Sequence, residues 1–192
     1  MYVEQIMSRK VDTATAAMKL SHAARLMREN NRRYLPVVDD RNNLVGLFSH
    51  RELARAEPSA ITTLSVGEVN YLTSKVTIGQ LMAPDPLTCS PKTLIEEAGH
   101  IIRQNKVGCL PVLDKGQLVG VVSESDILDF FLDITGCTLS DTARIAVHLP
   151  EQTGELGKLL NQINSFGGSI ATVVSPAARD ERGMRKIGRA HV

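Results

Sequence analysis

The chain states one pattern twice, and this duplication constrains its fold more than any other feature. Met7, Thr13, Ala23, Arg28, Asn30, Leu35, Pro36, Val37 and Asp39 recur 75 positions later as Met82, Thr88, Ala98, Arg103, Asn105, Leu110, Pro111, Val112 and Asp114. After a one-residue deletion the spacing becomes 74, and Leu44, Val45, Gly46 and Ser49 recur as Leu118, Val119, Gly120 and Ser123. Solenoid repeats are shorter, at roughly 20–50 residues, so this period marks a duplicated supersecondary unit. Two such units packed face to face enclose two related clefts. That geometry suits binding better than a single asymmetric catalytic centre.

Composition narrows the function classes. Twenty-two basic and 21 acidic residues leave a net charge of +1, which gives no bulk pull toward nucleic acid or an anionic membrane. Trp is absent and aromatic residues make up 4%, too few for a base-stacking platform. The opening MYVEQIMSRKV has no long apolar stretch, and no run approaches the roughly 18 residues that a membrane span needs. Cys89, Cys109 and Cys137 are odd in number and far apart, the pattern of a reducing cytoplasm rather than a disulfide scaffold. The expectation is a cytoplasmic protein with neither nucleic acid nor membrane as partner.

Each repeat reads as strand, helix, strand, strand, helix. Leu20, Ala23, Ala24 and Met27 line the first helix of repeat one, and Leu94, Ala98, Ile101 and Ile102 that of repeat two, at helical period. Thr93–Glu96 and Ser65–Glu68 have capping-box spacing; the second would open a short linking helix through Val69, Tyr71 and Leu72. Tyr34 to Val38, Leu44 to Phe48, Cys109 to Leu113 and Leu118 to Val122 read as buried strands, and Pro58-Ser59-Ala60 as the end of a helix. Met18, Met27 and Met82 read as core filler. Cys109, inside an apolar strand, reads as packing rather than as a nucleophile. Glu97-Ala98-Gly99-His100 is a lone E-x-x-H on a solvated helix face; a di-iron site needs two such motifs and further carboxylates. There is no P-loop, G-x-G-x-x-G or H-E-x-x-H, and no acid, base and nucleophile set, so no enzyme is expected.

The chemistry concentrates where each repeat runs from a strand into a helix. The two copies are Gly46-Leu47-Phe48-Ser49-His50-Arg51-Glu52 and Gly120-Val121-Val122-Ser123-Glu124-Ser125-Asp126. S-x-x-[D/E] is a common helix cap. Here it also aims a carboxylate and a helix start at the inter-repeat clefts. A carboxylate can accept from vicinal ribose hydroxyls, free first-turn amides can receive phosphate, and apolar strands can sandwich a base. L-P-V-V-D…L-V-G-L-F-S-H-R-E and L-P-V-L-D…L-V-G-V-V-S-E-S-D resemble the two motifs of a CBS-domain pair, the Bateman module, over residues 1–135.

The resemblance implies an α/β (α+β) fold: two β-α-β-β-α motifs packed as a pseudo-twofold pair, which commonly dimerises. It implies no catalytic cofactor and an adenosyl ligand such as AMP or ATP. Asp126 would hold a ribose with Ser123 and Ser125 close by, Val121 would flank the base, and Thr13 and Arg33 would face the same cleft. The symmetric cleft would use Glu52, Ser49, Leu47 and Arg51, with Thr88 and Gly108 opposite and Tyr34 stacking on the base or plugging the cleft. Glu52 replaces the usual Asp and is one methylene longer, with Arg51 as a phosphate partner in compensation, so the Asp126 cleft is the favoured site. The paired basic residues Arg9-Lys10 and Arg32-Arg33 would meet phosphates if they line the clefts. The rival reading is a structural dimerisation module with degenerate clefts, in which Glu52 marks the degeneration.

A third piece follows Gly136. Ala143 to Leu149 reads as a strand, Leu156, Leu159, Leu160, Ile163 and Phe166 as an amphipathic helix ended by Gly167-Gly168, and Ile170 to Val174 as a strand. With Glu151-Gln152-Thr153-Gly154 as its loop, this resembles the front half of an ACT domain, although Thr153 and Glu151 stand where Pro and Asp are common. A CBS pair followed by ACT resembles acetoin-utilisation-type proteins, and implies a partner enzyme. The expected organisation is CBS motif 1 at 1–60, a linking helix at 61–75, CBS motif 2 at 76–136, a partial ACT-like domain at 142–176 and an irregular tail at 177–192. Lys186 to Val192 resembles a sequencing adapter read through at a fragment end, so the tail reads as an artefact of a truncated gene model.

Overall fold

The computed structural model describes residues 1–56, 65, 67–68, 74–140, 142–150, 152–175 and 185–191. They form two compact units, Met1–Ile127 and Leu128–Val192.

In the first unit, repeat one comprises helix α1 (Leu20–Glu29), strands β1 (Tyr34–Val38) and β2 (Leu44–Ser49), and helix α2 (His50–Ala56). After the two-residue strand β3 (Ala83–Pro84), repeat two comprises α3 (Ile95–Asn105), β4 (Cys109–Asp114), β5 (Gln117–Ser123) and α4 (Glu124–Ile134), whose last turns belong to the second unit. β1 pairs antiparallel with β2, and β4 with β5. The strand expected at the start of each repeat is reduced to one parallel bridge, Ala14 to Val37 and Cys89 to Val112.

The cores carry the duplication residue by residue. Ala14, Leu20, Ala23, Met27, Leu35, Val37, Phe48 and Leu53 form one buried cluster. Their counterparts Cys89, Ile95, Ala98, Ile102, Leu110, Val112, Val122 and Ile127 are buried as well. Met27 is buried and Met18 and Met82 pack against the first cluster, as expected of core filler. Cys109 is 1% exposed, and burial pushes its thiol up to about 12. Glu97 and His100 are exposed on α3.

The segment preceding each repeat serves the other one. Ile78, before repeat two, is buried in the core of repeat one, and Leu20 donates to the Val76 carbonyl. The chain start does the converse: Val3 donates to the Thr93 carbonyl, Ile95 donates to the Met1 carbonyl, and Val3 is fully buried. This crossing corrects one expectation. Thr93 and Glu96 form no capping box; the helix starts after Leu94 with no side-chain cap. The Thr93 hydroxyl instead accepts from the Ser90 amide, and the Met1 carbonyl accepts from the Ile95 amide at the helix start. The box at Ser65 does form, with the Glu68 carboxylate accepting from the Ser65 amide at 2.8 Å and hydroxyl at 2.7 Å. Pro58 to Ala60 and, within the linking helix expected at 61–75, residues 61–64, 66 and 69–73 lie outside the described residues.

In the second unit, β6 (Arg144–Leu149), helix α5 (Glu155–Ser165) and β7 (Val173–Val174) follow the expected order. Leu156, Leu159, Leu160 and Ile163 of α5 face Ile145, Val147 and Val173. Gly167 takes a left-handed φ of 80° just past α5, the conformation that lets glycine end a helix. The segment expected to be irregular holds a strand, β8 (Arg185–His191), paired antiparallel with both β6 and β7 in the order β6-β8-β7. Its own sequence lacks strand alternation. The pairing supplies partners for backbone groups of β6 and β7, which do not pair with each other.

Candidate functional site

Two clefts lie in the first unit. The first, of about 190 Å³, is lined by Ser8, Lys10, Val11, Asp12, Asn31, Arg32, Arg33, Tyr34, Val121, Ser123 and Asp126. The second, of about 380 Å³, is lined by Arg33, Tyr34, Leu47, Ser49, His50, Arg51, Glu52, Ala83, Lys106, Val107, Gly108 and Glu124. Their walls correspond through the repeat: Asn31, Arg32 and Arg33 in one match Lys106, Val107 and Gly108 in the other, and Val121, Ser123 and Asp126 match Leu47, Ser49 and Glu52.

At both strand-to-helix corners the carboxylate caps the helix with a single oxygen. Asp126 Oδ2 accepts from the Ser123 amide and hydroxyl, each at 2.7 Å. Glu52 Oε2 accepts from the Ser49 amide at 3.0 Å and from the Ser49 hydroxyl. Neither Asp126 Oδ1 nor Glu52 Oε1 bonds any described residue, so each corner keeps an acceptor for a guest. Glu52 therefore closes the same cap as Asp126 despite its extra methylene.

The basic residues differ between the clefts. In the first, Arg32 is spent internally: its Nε donates to Asp12 at 2.7 Å and its Nη2 to the Lys10 carbonyl at 3.2 Å. Lys10 and Arg33 remain there for an anion. In the second, Arg51 and Lys106 stand beside Arg33. Arg9 lies outside both walls and donates to the Glu4 carbonyl.

Between the clefts the twofold pattern breaks. Tyr34 corresponds to Cys109, and Arg33 to Gly108. The Tyr34 ring fills the space that Gly108 leaves: a Cβ there would overlap the phenol hydroxyl and lie 2.8 Å from Cζ. Burial, the nearby Cys109 thiol and Glu124 raise the Tyr34 pKa, opposed by Arg33 and Arg51. The Arg33 guanidinium lies 5.9 Å from the Tyr34 ring centroid and donates to the Ser125 hydroxyl at 2.7 Å.

Of the residues singled out in the sequence, Asp126, Ser123, Val121, Arg33 and Tyr34 meet at the first cleft, with Ser125 held by Arg33. Glu52, Ser49, Leu47, Arg51, Gly108 and Tyr34 meet at the second. Thr13 and Thr88 are half-buried and absent from both walls. Next to them, Ala14 and Cys89 are pinned to Val37 and Val112, and in the first cleft Val11 and Asp12 supply the wall instead. Asn31, Lys106, Val107, His50 and Glu124 were not anticipated. Asn31 and Lys106 both take left-handed φ, 50° and 53°, in the turn after the first helix of each repeat.

The match to known proteins follows the same duplication. The profile of the CBS domain fits residues 3–59 and 78–133, more than half of the chain. The chain belongs to the CBS domain family. A CBS domain-containing protein of Dictyostelium discoideum is 32% identical over 133 residues, 69% of this chain and 92% of that protein. CBSX1, a chloroplastic CBS domain-containing protein of Arabidopsis thaliana, is 31% identical over 152 residues, 69% of this chain and 64% of its own length. Among solved structures, a Vibrio cholerae protein described as an acetoin utilisation protein, AcuB, superposes with a TM-score of 0.59 at 27% identity, covering 72% of this chain and 95% of AcuB. CBSX2, solved in complex with AMP, superposes with a TM-score of 0.58 at 27% identity, covering 69% and 97%. An inosine-5'-monophosphate dehydrogenase of Korarchaeum cryptofilum is 30% identical over 125 residues, which span 23% of that enzyme. The two CBS matches thus fall on the two repeats of Met1–Ile127 and continue along α4 as far as residue 133.

Proposed function

We propose that this CBS pair is a non-catalytic, cytoplasmic regulatory module that binds an adenosine nucleotide of the AMP or ATP class in its inter-repeat clefts. The observation that carries the reading is the half-used carboxylate at each corner. Asp126 Oδ1 accepts from a ribose hydroxyl while Oδ2 keeps the helix capped. Val121 flanks the base, and Lys10 and Arg33 take the phosphate. Glu52, Leu47, Arg51 and Lys106 play the same parts in the second cleft. The AMP bound by CBSX2 supports the ligand class, and the cleft chemistry favours it independently, with an acceptor for the sugar and cations for the phosphate. Binding acts by its differential affinity for two arrangements of the repeats. Titration of the full chain with AMP and ATP by calorimetry and thermal shift tests this. Loss of one of two binding events in Asp126→Asn supports it; no response to AMP, ATP, S-adenosylmethionine or NADH refutes it.

The output is the second unit, read as ACT-like, or a partner enzyme. The strand–helix–strand order β6-α5-β7 is that of the first half of a split βαβ fold, which favours the ACT-like reading. The dimerisation reading also has an observation in its favour. Leu128, Phe131 and Leu132 of α4 are 58%, 41% and 40% exposed at helical spacing, an apolar stripe suited to a second copy. Light scattering that returns the monomer mass of 20.9 kDa would refute a homodimer.

A further inference from the structure

We propose that Arg33 is one cation shared by both clefts, so that a nucleotide bound in one weakens binding in the other. The inference rests on the reading of the clefts as nucleotide sites. Arg33 is the basic residue that lines both walls. Its backbone is fixed, because its carbonyl accepts from the His50 amide at 2.9 Å. Its side chain is exposed and is held by one hydrogen bond to the neutral Ser125 hydroxyl and by the Tyr34 ring. An anionic phosphate offers a paired, charge-assisted partner and displaces such a contact.

The duplication supplies no second copy of this group. Its counterpart is Gly108, and the Tyr34 ring occupies the space beside that glycine. A phosphate in the first cleft that draws the guanidinium to itself leaves the second cleft with Arg51 and Lys106. A phosphate in the second draws it from the first, which then holds Lys10 and the Arg32 already paired to Asp12. Linkage makes the penalty equal in both directions. The first cleft, with fewer cations of its own, depends more on Arg33 for its intrinsic affinity.

The test is calorimetric titration of the full chain with AMP. Asp126→Asn and Glu52→Gln each disable one cleft while keeping an acceptor atom for the cap, and so report the other cleft alone. In the wild type, the second AMP is expected to bind about tenfold more weakly than the same cleft binds when the other is disabled. In Arg33→Gln the factor falls to one, and in Arg33→Lys, which keeps the charge, part of it remains. A factor unchanged or larger in Arg33→Gln overturns the proposal, because through-space repulsion between two phosphates then carries the coupling. Two clefts that fill independently in the wild type also overturn it. AMP that binds neither cleft fails the nucleotide reading itself, and this inference with it.

Discussion

Replacing Gly108 with alanine tests the packing that separates the two clefts. The new Cβ would overlap the Tyr34 hydroxyl and lie 2.8 Å from Cζ and 3.4 Å from Cε1. Gly108 does not have a positive φ, so its backbone accepts alanine and the whole penalty lies in that contact. Relieving it means tilting the Tyr34 ring off its rotamer and away from Arg33, and overpacking of this kind costs about 2 kcal/mol. For a unit of this size that lowers Tm by roughly 4–8 °C. A double-mutant cycle isolates the contact. With Tyr34→Ala in place, Gly108→Ala should cost less than about 0.5 kcal/mol, because the ring it meets is gone. Urea unfolding followed by circular dichroism gives all four corners of the cycle. An equal cost of Gly108→Ala in both backgrounds would refute the reasoning, since the penalty would then come from somewhere other than Tyr34.

Three further outcomes are expected. Asp126→Asn should weaken AMP binding at the first cleft by about 10–100-fold, the worth of one charged hydrogen bond to a sugar hydroxyl; calorimetry that shows less than a twofold change at that cleft, read with Glu52→Gln in place, would contradict the assignment. Ser123→Ala removes the hydroxyl at the cap and should lower stability by about 1 kcal/mol in urea unfolding. Alkali should destabilise the first unit: Cys89 and Cys109 hold their protons up to about 11 and about 12 when folded, against 9.0 for a free thiol. Their contribution is therefore complete below about pH 9 and lost as pH rises from there through the folded values. Cys109→Val should flatten that decline, and a thiol probe at pH 8 should label the exposed Cys137 well before either buried thiol.

The duplication made much of the fold readable. Once Leu35-Pro36-Val37 and Leu110-Pro111-Val112 are aligned, the cores and both carboxylate corners follow by offset. The same offset could have paired Asn31 with Lys106 on opposite cleft walls, but nothing in the residue type of Lys106 announces a left-handed turn. The Thr93–Glu96 cap failed because capping rules are local, while this helix starts two residues later, at Ile95, whose amide bonds a main-chain carbonyl more than 90 residues earlier. β8 was invisible for a related reason: its pairing with β6 and β7, and not its own alternation, makes it a strand. The sharing of Arg33 was equally hidden, since a sequence can show that a cation is present but not that two cavities open onto it.

The crossed connectors make each half of the CBS pair the donor of the other's stopper. Val3 and Ile78, both at 0% exposure, each plug a hollow built by the opposite repeat. A gene cut after residue 60 would yield a fragment whose hydrophobic socket stands open and whose loose plug matches another molecule. Such a fragment can close itself only by trading plugs with a second chain, so a one-repeat version of this protein is complete only as an intertwined twin.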